Sequence, residues 1–507
     1  MDILCRRTSP LIEHPPASRP RACLPATVWS VALVTLLGAC SFNPEPIEVA
    51  PLERIPERFS TADAPGAARA TAWWSTFGDP TLDRLVTDAI ASNLDLREAV
   101  GRIEEVRAQY RIARSALFPS AQVGVDFSRI DQPANSGQFG AIFGGDEGGS
   151  PLGDGPDRFS FETFGASLGL SYELDFWGRV RNGRNAAMAD ALATASDLET
   201  VRISVAAETI AAYFELRELT ARQRIRQEQV DLLSERLTLT DDRYRRGVVT
   251  SLELYQIQQD LNASRALLPL LGSQITATRG RLAVLLGRYP HELDETSVDG
   301  AAPEVRMDAI PAGLPSALLQ NRPDLRSAAL RLEAARQRVG ERAAARWPSI
   351  LLTGSAGQQS SELSNLLRPG QFFTSFVTSL TAPIFSGGRL KADQEVAQAR
   401  YEQEAARYAT AVLTAFQEVD AGLALFNAQR ERKLILDDQL VAAQASADNQ
   451  LRRLDLGIGD YVAYLDALRT TLNVEDTRAT SERELAEARL GVHRALGGSW
   501  IEETPES

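Results

Sequence analysis

The stretch Thr163-Phe-Gly-Ala-Ser-Leu-Gly-Leu-Ser-Tyr-Glu-Leu-Asp-Phe176 decides the fold. Its even positions are Phe164, Ala166, Leu168, Leu170, Tyr172, Leu174 and Phe176; its odd positions are Thr163, Gly165, Ser167, Gly169, Ser171, Glu173 and Asp175. Period-two alternation of this kind places every large apolar side chain on one face of a β-strand. The run is long for a soluble strand and long enough for a tilted strand crossing a bilayer, which needs about 9–11 residues. A shorter alternation upstream supplies a partner, with Val123, Val125 and Phe127 set against Gln122, Gly124, Asp126 and Ser128. A weaker one downstream carries Phe372, Phe376, Leu380 and Ile384, with Thr374 and Thr378 on the same face. A strand of a soluble sandwich is the competing reading of these patterns.

The chain around these strands is duplicated. Asp95-Leu96-Arg97 recurs 229 residues on as Asp324-Leu325-Arg326, and Phe118-Pro119-Ser120 as Trp347-Pro348-Ser349. Beyond the strands the spacing falls to 210: Gly178-Arg179 matches Gly388-Arg389, Glu208 matches Glu418, Gly247 matches Gly457, and Leu286-Gly287 matches Leu496-Gly497. The difference sits in the Gly-rich stretch from Asp131 to Asp157, which reads as a lengthened loop. The first unit is expected over residues 71–288, with a hairpin at 120–177. The second is expected over 315–500, with a hairpin at 349–386, and a Pro/Gly linker at 289–314 joins them.

Each unit reads as helix, two strands and two long helices. The leading helices, Asp79 to Leu117 and Pro315 to Arg346, stop where proline cannot continue the ladder. Arg184 to Arg246 contains neither Pro nor Gly and is rich in strong helix formers. The chain turns at Gly247–Thr250 and returns from Ser251 towards Leu286. Arg389 to Leu456, interrupted only by Gly422, turns at Gly457-Ile458-Gly459 and returns from Asp460 to Leu496. Apolar residues such as Leu232, Leu237 and Leu239, or Val412, Phe416, Val419 and Leu423, form a stripe, so each helix needs neighbours side by side.

The N-terminus reads as an export address over residues 1–39. Arg6, Arg7, Arg19 and Arg21 precede the apolar run Val28 to Leu37, which is too short to span a bilayer. It ends in Leu37-Gly38-Ala39-Cys40, which resembles a lipobox and implies acylation of Cys40 as the first mature residue, with Ser41 fitting the outer membrane. The segment before the apolar run is long, which points to a start downstream of Met1. Prolines at 44, 46, 51, 56 and 65 make residues 40–70 an extended tether, and residues 501–507 a tail.

Composition excludes several classes. The 507 residues carry a net charge of −13 with no basic block, so no nucleic-acid partner is expected. Cys5, Cys23 and Cys40 are the only cysteines, and His14, His291 and His493 the only histidines. Cysteine catalysis and zinc or iron–sulfur sites are excluded beyond Cys40, and no enzyme or cofactor is expected apart from a covalent lipid on Cys40. Four strands cannot close a membrane barrel, and open edges in lipid cost several kcal/mol per unpaired group. Closure therefore calls for several chains, and three would give twelve strands.

Trp73-Trp74-x-x-Phe77-x-Asp79-Pro80-x-Leu82, Asn93-x-Asp95, Asp175-Phe176-Trp177-Gly178-Arg179, Arg243-Tyr244-x-x-Gly247 and Pro383-Ile384-Phe385-x-Gly387-Gly388-Arg389 resemble the outer-membrane factors of tripartite efflux pumps, the TolC/OprM type, in its lipoprotein NodT branch. The resemblance covers residues 70–500. It implies an α+β fold: a homotrimer with a twelve-stranded barrel in outer-membrane lipid above a periplasmic barrel of long antiparallel helices. It implies a periplasmic adaptor and an inner-membrane RND-type pump as partners, and export of small toxic compounds or drugs as the duty. It also implies a gate on the last long helix, where Val462, Asp466 and Arg469 lie five, nine and twelve residues after Gly457. A threefold ring of Asp466 would favour cations, and splaying the helix pair would open it. Glu253 and Gln256 are the first unit's weaker counterparts. Gly459 and Ala463 depart from the TolC pattern, so the OprM-like ring carries over and the TolC salt-bridge latch does not. Adaptor contacts are expected at the two turns, Arg246–Thr250 and Leu456–Asp460, centred on Gly247, Val248, Gly457 and Ile458. Two alternatives stand beside this reading: a duct for type I protein secretion, and a lipid-anchored periplasmic coiled-coil spacer without a pore.

Overall fold

The structure is a computed structural model describing residues 42, 44–47, 49, 55–56, 59, 72–133, 158–293, 305–308, 310 and 315–498. The signal segment, Cys40, the tail and most of the Gly-rich stretch lie outside these residues. Helices α1 (Pro80–Ser92) and α2 (Leu94–Ser115) lead into strands β1 (Ser120–Pro133) and β2 (Arg158–Leu174), then α3 (Arg179–Arg245) and α4 (Ser251–Leu285). The second unit repeats the order with α5 (Pro315–Asn321), α6 (Pro323–Ala344), β3 (Ser349–Ser360), β4 (Phe372–Thr381), α7 (Arg389–Asp455) and α8 (Tyr461–Ala495).

The leading helix of each unit is two helices, not one. Asn93 leaves the helical region (φ −62°, ψ 135°) and caps α2, its side chain accepting from Asp95 N and Leu96 N at 2.9 and 3.2 Å. Pro323 forces the same break after Arg322. The repeat then reappears in chemistry the sequence does not display. Asn93 Nδ2 donates to Leu285 O at 3.0 Å, and at the matching place Arg322 Nη1 donates to Ala495 O at 3.0 Å. Two unlike side chains satisfy the same orphan carbonyl at a helix end.

Helices α3 and α7 each run 67 residues, about 100 Å at 1.5 Å per residue. Gly247 and Gly457 end them at φ 73° and 76°, where a side chain would be strained. Val248 N then donates back to Arg243 O and Ile458 N to Arg453 O, closing the same turn in both units. The stripe on α3 is Val230 and Leu233 with Leu237 packed against them; Leu239 is exposed, which corrects the spacing read from the sequence. Helix α7 is apolar enough in part to pass for a membrane span, yet Val412, Val419, Leu423 and Phe426 are buried in the main core. That core joins both units: Leu82, Val86, Ile210, Leu282 and Leu286 meet Val412, Val419 and Val492.

The four strands form one antiparallel sheet in the order β1-β2-β3-β4, so β1 and β4 are its edges. Registers Val125↔Ala166, Leu168↔Ala356 and Ile350↔Leu380 bring the main apolar series of the four strands to one face, while Leu351, Phe373 and Val377 fall on the other. That face points outward, with Val125 81% exposed. On the other face a Cβ at Gly357 would stand 2.2 Å from Ala166 O, so only glycine fits where β3 lies against β2. The pattern has limits the sequence blurred. Strand β1 runs on to Pro133, so the first residues of the expected loop are strand, and β2 ends at Leu174, leaving Phe176 outside; Ile384 likewise lies beyond β4. The outer apolar face runs down β2 from Phe164 to Leu174. Above it Arg129, Asp131 and Glu162 pair, so the face turns charged. Eleven strand residues tilted by about 40° cover a height of about 25 Å, that of an outer-membrane apolar band.

Candidate functional site

The far ends of the long helices come together in a tip built from both units. Ile257 and Leu261 of α4 pack with Val230 and Leu233 of α3 and with Tyr464 and Leu465 of α8. Arg236 lies over the Tyr464 ring at 5.3 Å. This cluster fixes the face that α8 presents at the position where the sequence places the gate.

Val462, Asp466 and Arg469 all fall on the first turns of α8, where Asp466 and Arg469 pair. Asp460 caps the helix by accepting from Val462 N at 3.0 Å, and Val462 is half-exposed. Arg469 Nη1 lies 3.4 Å from Asp466 Oδ1, and the Asp466 side chain is 67% exposed. A partner not read from the sequence completes the pair: Arg469 Nη2 also bonds Asp260 on α4, so α8 is tied to the first unit's returning helix. Asp260 Oδ2 is buried without a hydrogen-bond partner, beside a cavity of about 200 Å³ lined also by Arg226, Gln229 and Ser264.

A second group of ion pairs lies farther along α8. Arg222 on α3 grips Asp476 with two bonds of 2.9 and 3.2 Å, and Arg226 reaches it at 3.3 Å. The Asp476 carboxylate pushes the Arg222 guanidinium further toward its charged form. Buried Glu218 accepts from Arg483 Nε at 2.6 Å and Thr480 Oγ1 at 2.8 Å. Glu218, Arg222 and Arg226 are four apart and share a helix face, a visible signal; which helix they face is not visible. Within the second unit, buried Lys433 bonds Asp437 at 2.9 Å, and Arg478 bonds Asp437 at 2.6 Å and Glu482 at 3.1 Å, so α7 and α8 are strapped together.

The first unit's counterparts do other work. Glu253 forms a capping box with Thr250, accepting from Thr250 N at 3.3 Å, which makes it a helix start. Gln256 is half-buried on the following turn. Gly459 has a steric reason, since a Cβ there would lie 2.6 Å from Leu454 N; no side chain of any kind fits. Val248 and Ile458 are exposed on the two turns, 70% and 68%, with Gly247 and Gly457 beside them. Among the described residues there is no group of three or more His, Cys, Asp and Glu placed to hold a metal ion.

Comparisons with known proteins place this architecture. The chain matches the outer membrane efflux protein family model over residues 85–288 and 314–498. It is 30% identical over 484 residues to the toluene efflux pump outer membrane protein TtgC of Pseudomonas putida, covering 93% of this chain and 95% of TtgC. It is also 30% identical over 479 residues to the pyoverdine export outer membrane protein OpmQ of Pseudomonas aeruginosa, covering 93% and 96%. Among solved structures, the outer-membrane channel OprN superposes with TM-score 0.79 at 29% identity, over 91% of this chain and all of that one. The Neisseria gonorrhoeae MtrE outer membrane channel, solved in its open state, superposes with TM-score 0.78 at 27% identity, over 92% and 100%.

Proposed function

Because the chain belongs to the outer membrane efflux protein family and is an outer-membrane efflux channel, we propose that three copies close into the exit duct of a tripartite pump. The observation that carries this is the four-stranded sheet: an apolar-rich face, a face of mostly small and polar residues opposite it, and two edge strands. In lipid such edges demand pairing, and three chains give a twelve-stranded barrel with a polar lumen. The 67-residue helices then extend the tube about 100 Å into the periplasm. Acylated Cys40 anchors each chain to the outer membrane. A periplasmic adaptor grips the exposed turns at Gly247, Val248, Gly457 and Ile458, and through it an inner-membrane RND-type pump loads the duct. The relatives named for toluene, antibiotic and pyoverdine export support small compounds as cargo over secreted proteins.

Closure of the duct lies with Val462, Asp466 and Arg469. The exposed Asp466 carboxylates of three chains form a negative ring at the tip, and opening moves the α7–α8 pair as a unit because Lys433, Asp437, Arg478 and Glu482 lock it together. Single-channel recording in planar bilayers tests this. The native protein conducts weakly and prefers cations; Asp466→Ala raises the conductance severalfold and reduces the cation preference. Unchanged conductance and selectivity in Asp466→Ala would remove Asp466 from the gate.

A further inference from the structure

We infer that the last strand of each chain pairs with β1 of a second copy in a register fixed by the internal repeat, and that the exposed joint below that strand is covered by Phe118 of the same second copy. The inference rests on closure of the barrel by identical chains and adds which residues meet.

The two hairpins are superposable by sequence number. Ser120↔Ser171 in the first becomes Ser349↔Thr381 in the second, and Phe127↔Phe164 becomes Ala356↔Thr374; both members of each comparison are observed pairs. Repeat-related residues therefore occupy equivalent places in the sheet. The contact between units inside one chain is β2 with β3, where Ser171 faces Thr353, Leu170 faces Gly354 and Gly169 faces Ser355. Advancing that contact by one unit pairs Thr381 with Gly124, Leu380 with Val125 and Ser379 with Asp126 of the next chain.

Two features of the sheet agree with this register. Leu380 and Val125 lie on the apolar face and Ser379 and Asp126 on the polar face, whereas a one-residue slip would oppose unlike faces. The same register sets Phe372, the first residue of β4, opposite Pro133, the last of β1, so the two edge strands end level.

The joints below the strands differ in a way this pairing resolves. At the first, Trp177 lies 5.1 Å from the Trp347 ring and donates to Pro348 O at 2.7 Å, so the second unit covers the end of the first hairpin. The equivalents of Trp347-Pro348 are Phe118-Pro119, and Phe118 is 58% exposed. At the second joint Ile384 and Phe385 are 97% and 91% exposed within the chain. The next chain's Phe118 stands where Trp347 stands at the first joint; the counterpart of Trp177 there is Gly387, which offers no ring, so Phe118 packs on Phe385 two residues upstream.

Disulfide trapping in outer membranes tests both parts. Native cysteines are confined to Cys5, Cys23 and Cys40, so introduced thiols in the barrel act on a clean background. Two adjacent pairs, Ser379→Cys with Asp126→Cys and Leu380→Cys with Val125→Cys, cover both hydrogen-bonding geometries of an antiparallel ladder. Within one chain these positions lie three strand spacings apart, about 14 Å, and cannot bridge. Mild oxidation is expected to give covalent trimers on non-reducing gels for at least one in-register pair. It should do so at least fivefold more than for Ser379→Cys with Gly124→Cys or with Ser128→Cys. Phe118→Cys with Phe385→Cys should also cross-link. Stronger cross-linking of a slipped pair, or none in an intact trimer, overturns the register but leaves closure standing. Failure of the Phe118–Phe385 pair alone overturns the joint. Monomers by native mass would overturn closure itself.

Discussion

Arg469 holds two carboxylates at once, one on its own helix and one on the neighbouring unit. Both links are partly exposed, so each is weak, below about 1 kcal/mol, and salt-sensitive. Arg469→Ala is therefore expected to leave folding intact, with thermal unfolding within about 1 kcal/mol of native, yet to increase leakage of a large antibiotic across the outer membrane. A double-mutant cycle with Asp260→Ala should show non-additive leakage, since either change breaks the same bridge. Additive effects would mean the bridge is not what restrains α8. His493 makes a different residue-scale statement. Its ring stacks on Trp73 at 5.6 Å with Thr76 Oγ1 at 3.3 Å from Nε2, and burial together with nearby Arg489 pushes its pKa down to about 4. An unfolded chain takes up that proton near pH 6.5, before the folded chain does. The stability is full above pH 6.5 and falls as pH drops toward 4, by about 1.4 kcal/mol per pH unit from this group. Thermal unfolding from pH 8 to 4 should show that slope, and His493→Gln should flatten it.

At the scale of elements, α8 is the piece whose freedom matters, and charged bonds join its apolar contacts in tying it to the first unit. The two-pronged Arg222–Asp476 bond, backed by Arg226, engages two guanidiniums at one carboxylate. Asp476→Ala leaves two guanidiniums without their shared acceptor and should lower stability by about 1.5–3 kcal/mol in urea unfolding. Asp476→Asn should recover part of that loss, because it keeps an acceptor while removing the charge. Equal losses for both would show that charge, not hydrogen bonding, dominates the contact. The tip's apolar cluster around Ile257 and Leu261 acts beside these bonds, fixing where α8 can pack while the ion pairs fix how firmly it does so.

The whole molecule is explained by its open sheet. A chain with two bare strand edges and an apolar outer face is incomplete alone, and identical units repeated around an axis complete it without new parts. Native mass spectrometry from detergent should therefore release three chains together, and the complex should resist SDS without heating. A monomer under both conditions would sink the duct. One rival separates at this scale too: a coiled-coil spacer has no use for an outward apolar band about 25 Å high.

Much of this was legible in order along the chain. Alternation at Thr163–Leu174 gave strand and face, because side-chain direction in a strand depends only on parity. The repeat gave the number of units, and Gly247 and Gly457 gave the helix turns, because a positive φ selects glycine wherever it occurs. The spacing of Val462, Asp466 and Arg469 placed three residues together, since they share one helix. Partners on other helices could not be read. Asp260 for Arg469 and Asp476 for Arg222 lie 209 and 254 residues away, and only the packing of α8 against α3 and α4 sets them within bonding distance. The breaks at Asn93 and Arg322 are local signals that helical periodicity overrode: Asn93 caps α2 through the next residues of the chain, and Pro323 turns Arg322 out of the helical region.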